Sequence, residues 1–190
     1  MAALPKRRRF NVVEYYRMAE AGILDEDDRV ELIRGEIIEM PPIGVGHASV
    51  VDRANRLFVV TFRDSVVVRI QNPLRISARD EPVPDLMLLK PRADFYRERH
   101  PMPEDVLLLV EVSDTTLSYD RDKKLPLYAM AGIPEVWIID LKAQVVRVFL
   151  HPVEGHYRDT RTAGHGDHLA PLAFPDMHLA VNDILGEPAP

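Results

Sequence analysis

Two acidic residues in the middle of the chain have the type and spacing that metal-assisted hydrolysis of a phosphate ester requires. Asp85 precedes an apolar run that begins at Leu86, and Glu111 lies near the end of the apolar run from Val106 to Ser113. Short runs rich in Leu and Val predict buried strands, where an acid needs a partner. Because Mg²⁺ is held by one or two carboxylates together with water and substrate phosphate, we expect Asp85 and Glu111 to share one Mg²⁺, or Mn²⁺ in its place.

Lys124 is the candidate for a third catalytic group. Side chains alternate between the two faces of a strand, so Ser113 lies on the same face as Glu111. A catalytic positive charge beside Glu111 cannot come from Ser113, because serine carries none. A lysine from the following helix could place an ammonium beside Glu111 instead. We expect Lys124 to orient and help activate the attacking water and to stabilise negative charge in the transition state. Asp120 is expected to accept a hydrogen bond from Lys124 or to cap the helix.

Glu31 and His47 are weaker candidates, for contacts with a substrate. Glu31 lies in a predicted hairpin from which it could approach the same cleft, although an exposed strand face explains it equally well. His47 opens a predicted helix, where it could hold a phosphate or a water; a local hydrogen bond is the other explanation. A zinc site is disfavoured because the remaining candidate ligands have no compact spacing: His151, His156, His165 and His168.

Composition narrows the class of protein. The chain has 190 residues, 46% of them hydrophobic, which predicts one domain over 1–190 with a basic tail at 1–9 and a C-terminal tail at 186–190. The absence of cysteine excludes disulfides, thiolate nucleophiles and cysteine-bound zinc. No apolar run approaches the roughly 20 residues of a membrane span, and no apolar signal core follows the basic N-terminus. We therefore expect a cytoplasmic protein.

The overall charge argues against a broad nucleic-acid-binding surface. The net charge is -6, and binding of a polyanion requires local positive potential. A cationic cleft on an acidic body stays open as an alternative, because arginines cluster at three places: Arg7 to Arg9; Arg53, Arg56 and Arg63; and Arg92, Arg97 and Arg99.

Periodicity and turn residues predict alternating helices and strands. Helices are predicted for Asn11 to Ala21, where Glu14 completes a capping box, for His47 to Phe62, and for a segment that ends near Ala131 and is disturbed by Pro126. Residues 90–105 form a long polar loop. Strands are predicted at 66–70, 74–77, 83–89, 106–113, 156–162 and 177–181, and hairpins at 29–40 and 135–150.

Three segments carry a family resemblance: Val83-Pro84-Asp85, Glu111-Val112-Ser113, and the more specific run from Tyr119 to Asp140. They resemble the Uma family of restriction endonucleases, a branch of the PD-(D/E)XK nuclease superfamily, over about residues 10–185. The resemblance implies an α/β fold with a restriction-endonuclease-like core, a mixed central β-sheet flanked by helices, and Mg²⁺ bound by Asp85 and Glu111. The lysine of the superfamily motif is missing at Ser113, but the Uma pattern has a lysine at the position of Lys124.

The expected function is that of a Mg²⁺-dependent endonuclease that hydrolyses phosphodiester bonds in DNA. Two alternatives stay open: a nuclease fold that has become a binding or regulatory module, and a hydrolase for a smaller phosphate ester. Apolar strand surface near Trp137, expected to be exposed, together with the family type, suggests a homodimer.

Overall fold

Helices and strands alternate along the chain, as in α/β proteins. The computed structural model describes residues 7–25 and 27–187, so residues 1–6 and 188–190 of the two expected tails lie outside the described residues. The helices are α1 (Val12–Glu20), α2 (Val45–Phe62), α3 (Leu117–Tyr119), α4 (Leu125–Met130) and α5 (Val181–Leu185). The strands are β1 (Val30–Ile33), β2 (Glu36–Glu39), β3 (Val67–Ile70), β4 (Leu86–Leu89), β5 (Val106–Ser113), β6 (Glu135–Asp140), β7 (Val145–Val153), β8 (His156–Ala163), β9 (His168–Leu169) and β10 (Leu179–Ala180). None of the helices in the described part of the chain combines the length and the hydropathy that a membrane span needs.

Strands β3 to β8 form one mixed sheet in the order of the chain. Neighbours are antiparallel except β5 and β6, which are parallel. A parallel pair needs a crossover connection, and here that connection is the helical segment from α3 to α4, which contains Lys124. The register of β4 and β5 pairs Leu86 with Val110, so Asp85 and Glu111 follow at the same end of the two strands. This mixed sheet with flanking helices confirms the predicted fold class.

Hydrophobic side chains pack on both faces of the sheet. One face packs against α2 and α5, and α4 covers the other. On the first face, the ring of Trp137 meets Phe58 edge to face with ring centroids 6.3 Å apart, and none of its surface is exposed. The strand surface near Trp137 is therefore part of the core of one chain, and the prediction that it is exposed is wrong.

Local sequence signals set the bounds of α1 and of the β1–β2 hairpin, as predicted. The side chain of Asn11 accepts a hydrogen bond from the Glu14 N–H at 2.9 Å, and Glu14 accepts one from the Asn11 N–H at 2.9 Å, which is a capping box. In the hairpin turn, Arg34 and Gly35 have φ values of 52° and 75°, as a type I′ turn requires. A Cβ at Gly35 would lie 2.8 Å from the carbonyl oxygen of Phe10, so only glycine fits.

The hairpin is fixed to the segment that precedes β4. Leu32 in β1 and Glu81 form an isolated antiparallel bridge, with N···O distances of 3.3 and 2.7 Å. Next to this bridge, Oε2 of Glu31 accepts a hydrogen bond from the Val83 N–H at 3.2 Å. Backbone pairing between segments remote in sequence therefore places Glu31 beside the residues that lead to Asp85.

The predicted strand at 74–77 is wrong. The backbone N–H groups of Leu74 and Arg75 donate to the carbonyl oxygens of Pro82 and Pro101, which belong to two different loops. The N–H groups of Ile76 and Ser77 both donate to Asp80 in a tight turn, where Ser77 forms only an isolated bridge, so the segment does not continue as a ladder.

A π-helical segment, Asp120–Lys124, joins α3 to α4, where the sequence predicts either a kink at Pro126 or a regular helix that begins only near Lys123. Within it, the N–H of Leu125 bonds to the carbonyl oxygen of Asp120. Pro126 consequently lies in the first turn of α4, where its missing N–H costs little. The chain stays helical through the segment that carries Lys124, and insertions of this kind occur often at functional sites.

Replacing Phe58 by Ala should lower the free energy of unfolding by about 3–5 kcal/mol, because it leaves a cavity between α2 and the sheet. Urea denaturation followed by circular dichroism measures the change. Val60→Ala on the same helix is the matched control: Val60 is 64% exposed, so the change should be below about 0.5 kcal/mol. Similar losses in both variants would contradict the packing of α2 described above.

Candidate functional site

A cleft with a volume of about 410 Å³ opens at the end of the sheet where β4 begins and β5 ends. Its walls come from the hairpin, from the residues between β2 and α2, and from the helical segment after β5. All five site residues predicted from the sequence line this one cleft: Glu31, His47, Asp85, Glu111 and Lys124. Its charged lining is mostly acidic, because Glu39, Asp114 and Asp120 join the three predicted acids, whereas among the described residues that line it Arg29 is the only Arg or Lys besides Lys124.

Lys124 is the centre of a buried ion-pair network. Its Nζ lies 3.0 Å from Oε2 of Glu31 and 3.3 Å from Oε1 of Glu111. The three residues are 5%, 1% and 3% exposed, respectively. Burial by itself lowers the pKa of Lys124, but the charges of Glu111 and Glu31 outweigh it and raise the pKa above its ordinary value. The side chain is therefore held as an ammonium, and the explanation of Glu31 as a residue on an exposed strand face is wrong.

Glu111 is fixed by a second donor on the same helix. The hydroxyl of Tyr128 donates to Oε1 of Glu111 at 2.5 Å, the oxygen that also faces Lys124. Burial raises the pKa of Glu111; Lys124 opposes the shift, and the carboxylate of Asp120 adds to it. The pocket thus holds more negative charge than Lys124 alone balances, so a further cation would stabilise the ionised form of Glu111.

Asp85 is held by three donors from separate parts of the chain. His47 Nε2 lies 3.1 Å from Oδ1, to which Gln71 also donates at 3.2 Å. The N–H of Val112 donates to Oδ2 at 2.8 Å. Burial would raise the pKa of Asp85, but the hydrogen bond from His47 leads the opposing contributions and brings the pKa below its ordinary value. In return, the hydrogen bond to Asp85 raises the pKa of His47.

The hydrogen-bond partner of His47 is not the local one that the sequence suggested. His47 occupies the first turn of α2, but its hydrogen bond goes to Asp85, which is remote in sequence, so the explanation by a local hydrogen bond is wrong. Its contact with a phosphate or a water stays a prediction.

Asp120 supports the site without touching Lys124. Its Oδ2 accepts hydrogen bonds from the hydroxyls of Ser113 at 2.8 Å and Thr116 at 2.7 Å. The predictions that Asp120 accepts from Lys124 or caps the helix are therefore wrong. Ser113 instead links β5 to the helical segment that carries Lys124.

Two residues of the site were missed by sequence reasoning. Tyr128 follows Lys124 by four residues, as Lys124 follows Asp120, and this spacing places all three on one face of a helix. This spacing of four residues could have identified Tyr128 as a site residue. Gln71 follows β3 and reaches Asp85 only because β3 pairs with β4, so no local pattern marks it.

The two carboxylates of Asp85 and Glu111 suit a hard cation that is held by few protein ligands. Across residues 7–25 and 27–187, no group of three or more His, Asp or Glu side chains forms a metal cluster. Asp85 and Glu111 would thus act as a two-carboxylate set, which Mg²⁺ commonly uses together with water and phosphate oxygens. Within the described residues, both hydrogen bonds to Glu111 reach Oε1, so Oε2 keeps its lone pairs for a ligand.

Comparisons with known proteins bear on the fold and on the family. Residues 12–182 match the model of the Uma2 family, whose description is "Putative restriction endonuclease". The chain is also similar to the crystal structure of "a putative nuclease belonging to DUF820" from Anabaena variabilis, with a TM-score of 0.68, 16% identity, and coverage of 93% of this chain and 97% of that chain. At this identity the similarity shows the fold alone. No curated protein matches the sequence.

Replacing Lys124 by Met should lower the free energy of unfolding by about 3–5 kcal/mol, because Glu31 and Glu111 lose their shared partner while they stay buried. Urea denaturation gives the measurement. Lys123→Met is the matched control, since this neighbour is exposed and its loss should cost less than about 0.5 kcal/mol. The buried network would be refuted if Lys124→Met were as stable as the control.

Proposed function

Since the chain belongs to the Uma2 family of putative restriction endonucleases, we propose that it is a metal-dependent endonuclease that hydrolyses phosphodiester bonds in DNA. One observation carries the proposal: Asp85, Glu111 and Lys124, which come from three different elements, converge on a single cleft. Two acids and an ammonium around one cavity are the groups that such a reaction needs.

Asp85 and Glu111 would hold Mg²⁺, or Mn²⁺ in its place. When bound, the cation would polarise the scissile phosphate. Other residues of the chain fix the orientation of both carboxylates without any ligand. His47, Gln71 and the Val112 N–H fix the orientation of Asp85, whereas Lys124 and Tyr128 fix Oε1 of Glu111.

Lys124 would act as a fixed positive charge. Hydrolysis joins a water oxygen to phosphorus and breaks a phosphorus–oxygen bond, so negative charge builds up on the phosphoryl oxygens. An ammonium can donate to those oxygens or to the attacking water, and it gains strength where water is excluded. Glu31 accepts from Lys124 at 3.0 Å and would keep the ammonium aimed at the cleft, which gives Glu31 a positioning role.

Plasmid nicking in the presence of Mg²⁺ or Mn²⁺ tests the proposal. Asp85→Asn and Glu111→Gln should each lower the rate by at least about 100-fold, the scale of removing one preorganised charged group. Asp114→Asn is the matched control, because Asp114 lines the same cleft but is exposed, and it should retain most of the activity. Melting temperatures of all variants separate loss of chemistry from loss of fold.

Metal binding has its own measurement, independent of cleavage. A ligand that binds only the folded protein stabilises it, by about 2.7 kcal/mol at a concentration one hundred times its Kd. Mn²⁺ or Mg²⁺ should therefore raise the melting temperature of the parent and of Asp114→Asn but not that of Glu111→Gln. Equal shifts in all three proteins would place the bound metal elsewhere.

A binding or regulatory module is the second candidate, and one observation favours it. Both oxygens of Asp85 already accept hydrogen bonds from the chain, and Glu111 is already paired with Lys124, so the acids also satisfy a purely structural role. DNA retention in EDTA without cleavage under either metal would support this candidate. Cleavage of model phosphodiesters without DNA retention would instead indicate a hydrolase for smaller esters.

A further inference from the structure

The reactive groups are recessed in the cleft. Glu111 and Lys124 are at most 5% exposed, the side chain of Asp85 is 13% exposed, and the cavity of about 410 Å³ falls in the range that encloses one small ligand, about 300–1,000 Å³. In a paired duplex each nucleotide is stacked and faces its complement. A nucleotide enters a recessed pocket after it has left the stack, and the cost of this step is least where the strand is already unpaired.

The mouth of the cleft offers apolar and aromatic surface. Met40, Pro41, Pro42 and Ile43 are consecutive lining residues, and the last three are exposed to solvent. Tyr119, from the segment after β5, adds an aromatic ring to the same lining. Exposed apolar side chains and a half-buried aromatic ring beside an acidic site are suited to the faces of bases, which stack on aromatic side chains in proteins that bind single strands.

The charges of the cleft do not suit binding along the phosphate backbone of a duplex. Binding along paired strands is dominated by Lys and Arg contacts to successive phosphates. Among the described residues that line the cleft, Arg29 and Lys124 are the only Lys or Arg. Lys124 is engaged by two glutamates, and Arg29 donates to the carbonyl oxygen of Pro41 at 2.6 Å. The cleft therefore offers contacts with bases more readily than contacts with successive phosphates.

We propose that the cleft takes an unpaired nucleotide of a DNA strand, with the base against Tyr119 and the Met40–Ile43 wall and the phosphate beside Asp85, Glu111 and Lys124. The substrate class is single-stranded DNA or the unpaired arm of a duplex. This inference rests on the proposed endonuclease function for its catalytic part, whereas its binding part can be measured without cleavage.

Binding is measured with oligonucleotides that carry 2-aminopurine, whose fluorescence falls when it stacks on an aromatic ring. The full chain is titrated in EDTA, and again with Ca²⁺, against a single strand and against the same sequence fully paired. We expect quenching by the single strand and an affinity at least 10-fold tighter than for the duplex. Equal affinity, or tighter binding of the duplex, would overturn the inference.

Three variants test whether the base of the bound nucleotide lies on Tyr119. Tyr119→Ala should weaken single-strand binding about 5- to 150-fold, the equivalent of about 1–3 kcal/mol of stacking per base, and should abolish the quenching. Tyr119→Phe keeps the ring and should match the parent, and Val60→Ala on the outer face of α2 should be neutral. If Tyr119→Ala melts like the parent and yet quenches fully, the base does not lie on Tyr119 and the proposal fails.

Cleavage completes the test and separates this inference from the proposed function. With Mn²⁺, a splayed-arm duplex should be cut in its unpaired arm at least 10-fold faster than the matched duplex. Faster cutting of the paired DNA would overturn the inference and leave the endonuclease proposal intact. Selective binding of the single strand with no cleavage of any substrate would support the inference and refute the endonuclease proposal.

Discussion

The ammonium of Lys124 is buried between two glutamates, and the rest of the site depends on this arrangement. A buried charge is tolerated only with a partner, and here the partners come from β1 and β5 while the lysine comes from the crossover between β5 and β6. The hairpin, the sheet and the crossover helix must therefore all be in place before the charges are satisfied. The cleft is therefore complete only in the folded chain.

Asp85, on the other side of the cleft, also takes its partners from separate parts of the chain. Its partners are a histidine from the first turn of α2, a glutamine after β3, and the backbone of β5. The packing of Phe58 against Trp137 fixes α2 on the sheet and so determines where His47 lies. Apolar packing on one face of the sheet and ion pairs reached from the other face meet at the strand ends, where a cation and a phosphate could approach from solvent.

The sequence predicted those parts of the site whose signals are local. Asp85 and Glu111 interrupt apolar runs, Lys124 lies at a family position, and the capping box of α1 and the Arg34-Gly35 turn are short motifs, so each could be recognised without knowledge of the fold. The rest depends on contacts between distant segments. Gln71 reaches Asp85 only through strand pairing. Residues 74–77 have the composition of a strand, but their N–H groups donate to Asp80, Pro82 and Pro101. The strand surface near Trp137 was expected to be exposed because the sequence of an apolar strand is the same whether solvent or α2 covers it.

The sharing of one ammonium by two glutamates also bears on how such proteins change over evolutionary time. Loss of Lys124 alone would leave two buried carboxylates without their shared cation, so a lineage that abandons catalysis gains nothing by discarding the lysine first. Simultaneous exchange for apolar residues would avoid that penalty, but it needs several mutations together. The presence of this trio in a relative is thus evidence of an intact fold before it is evidence of a working enzyme.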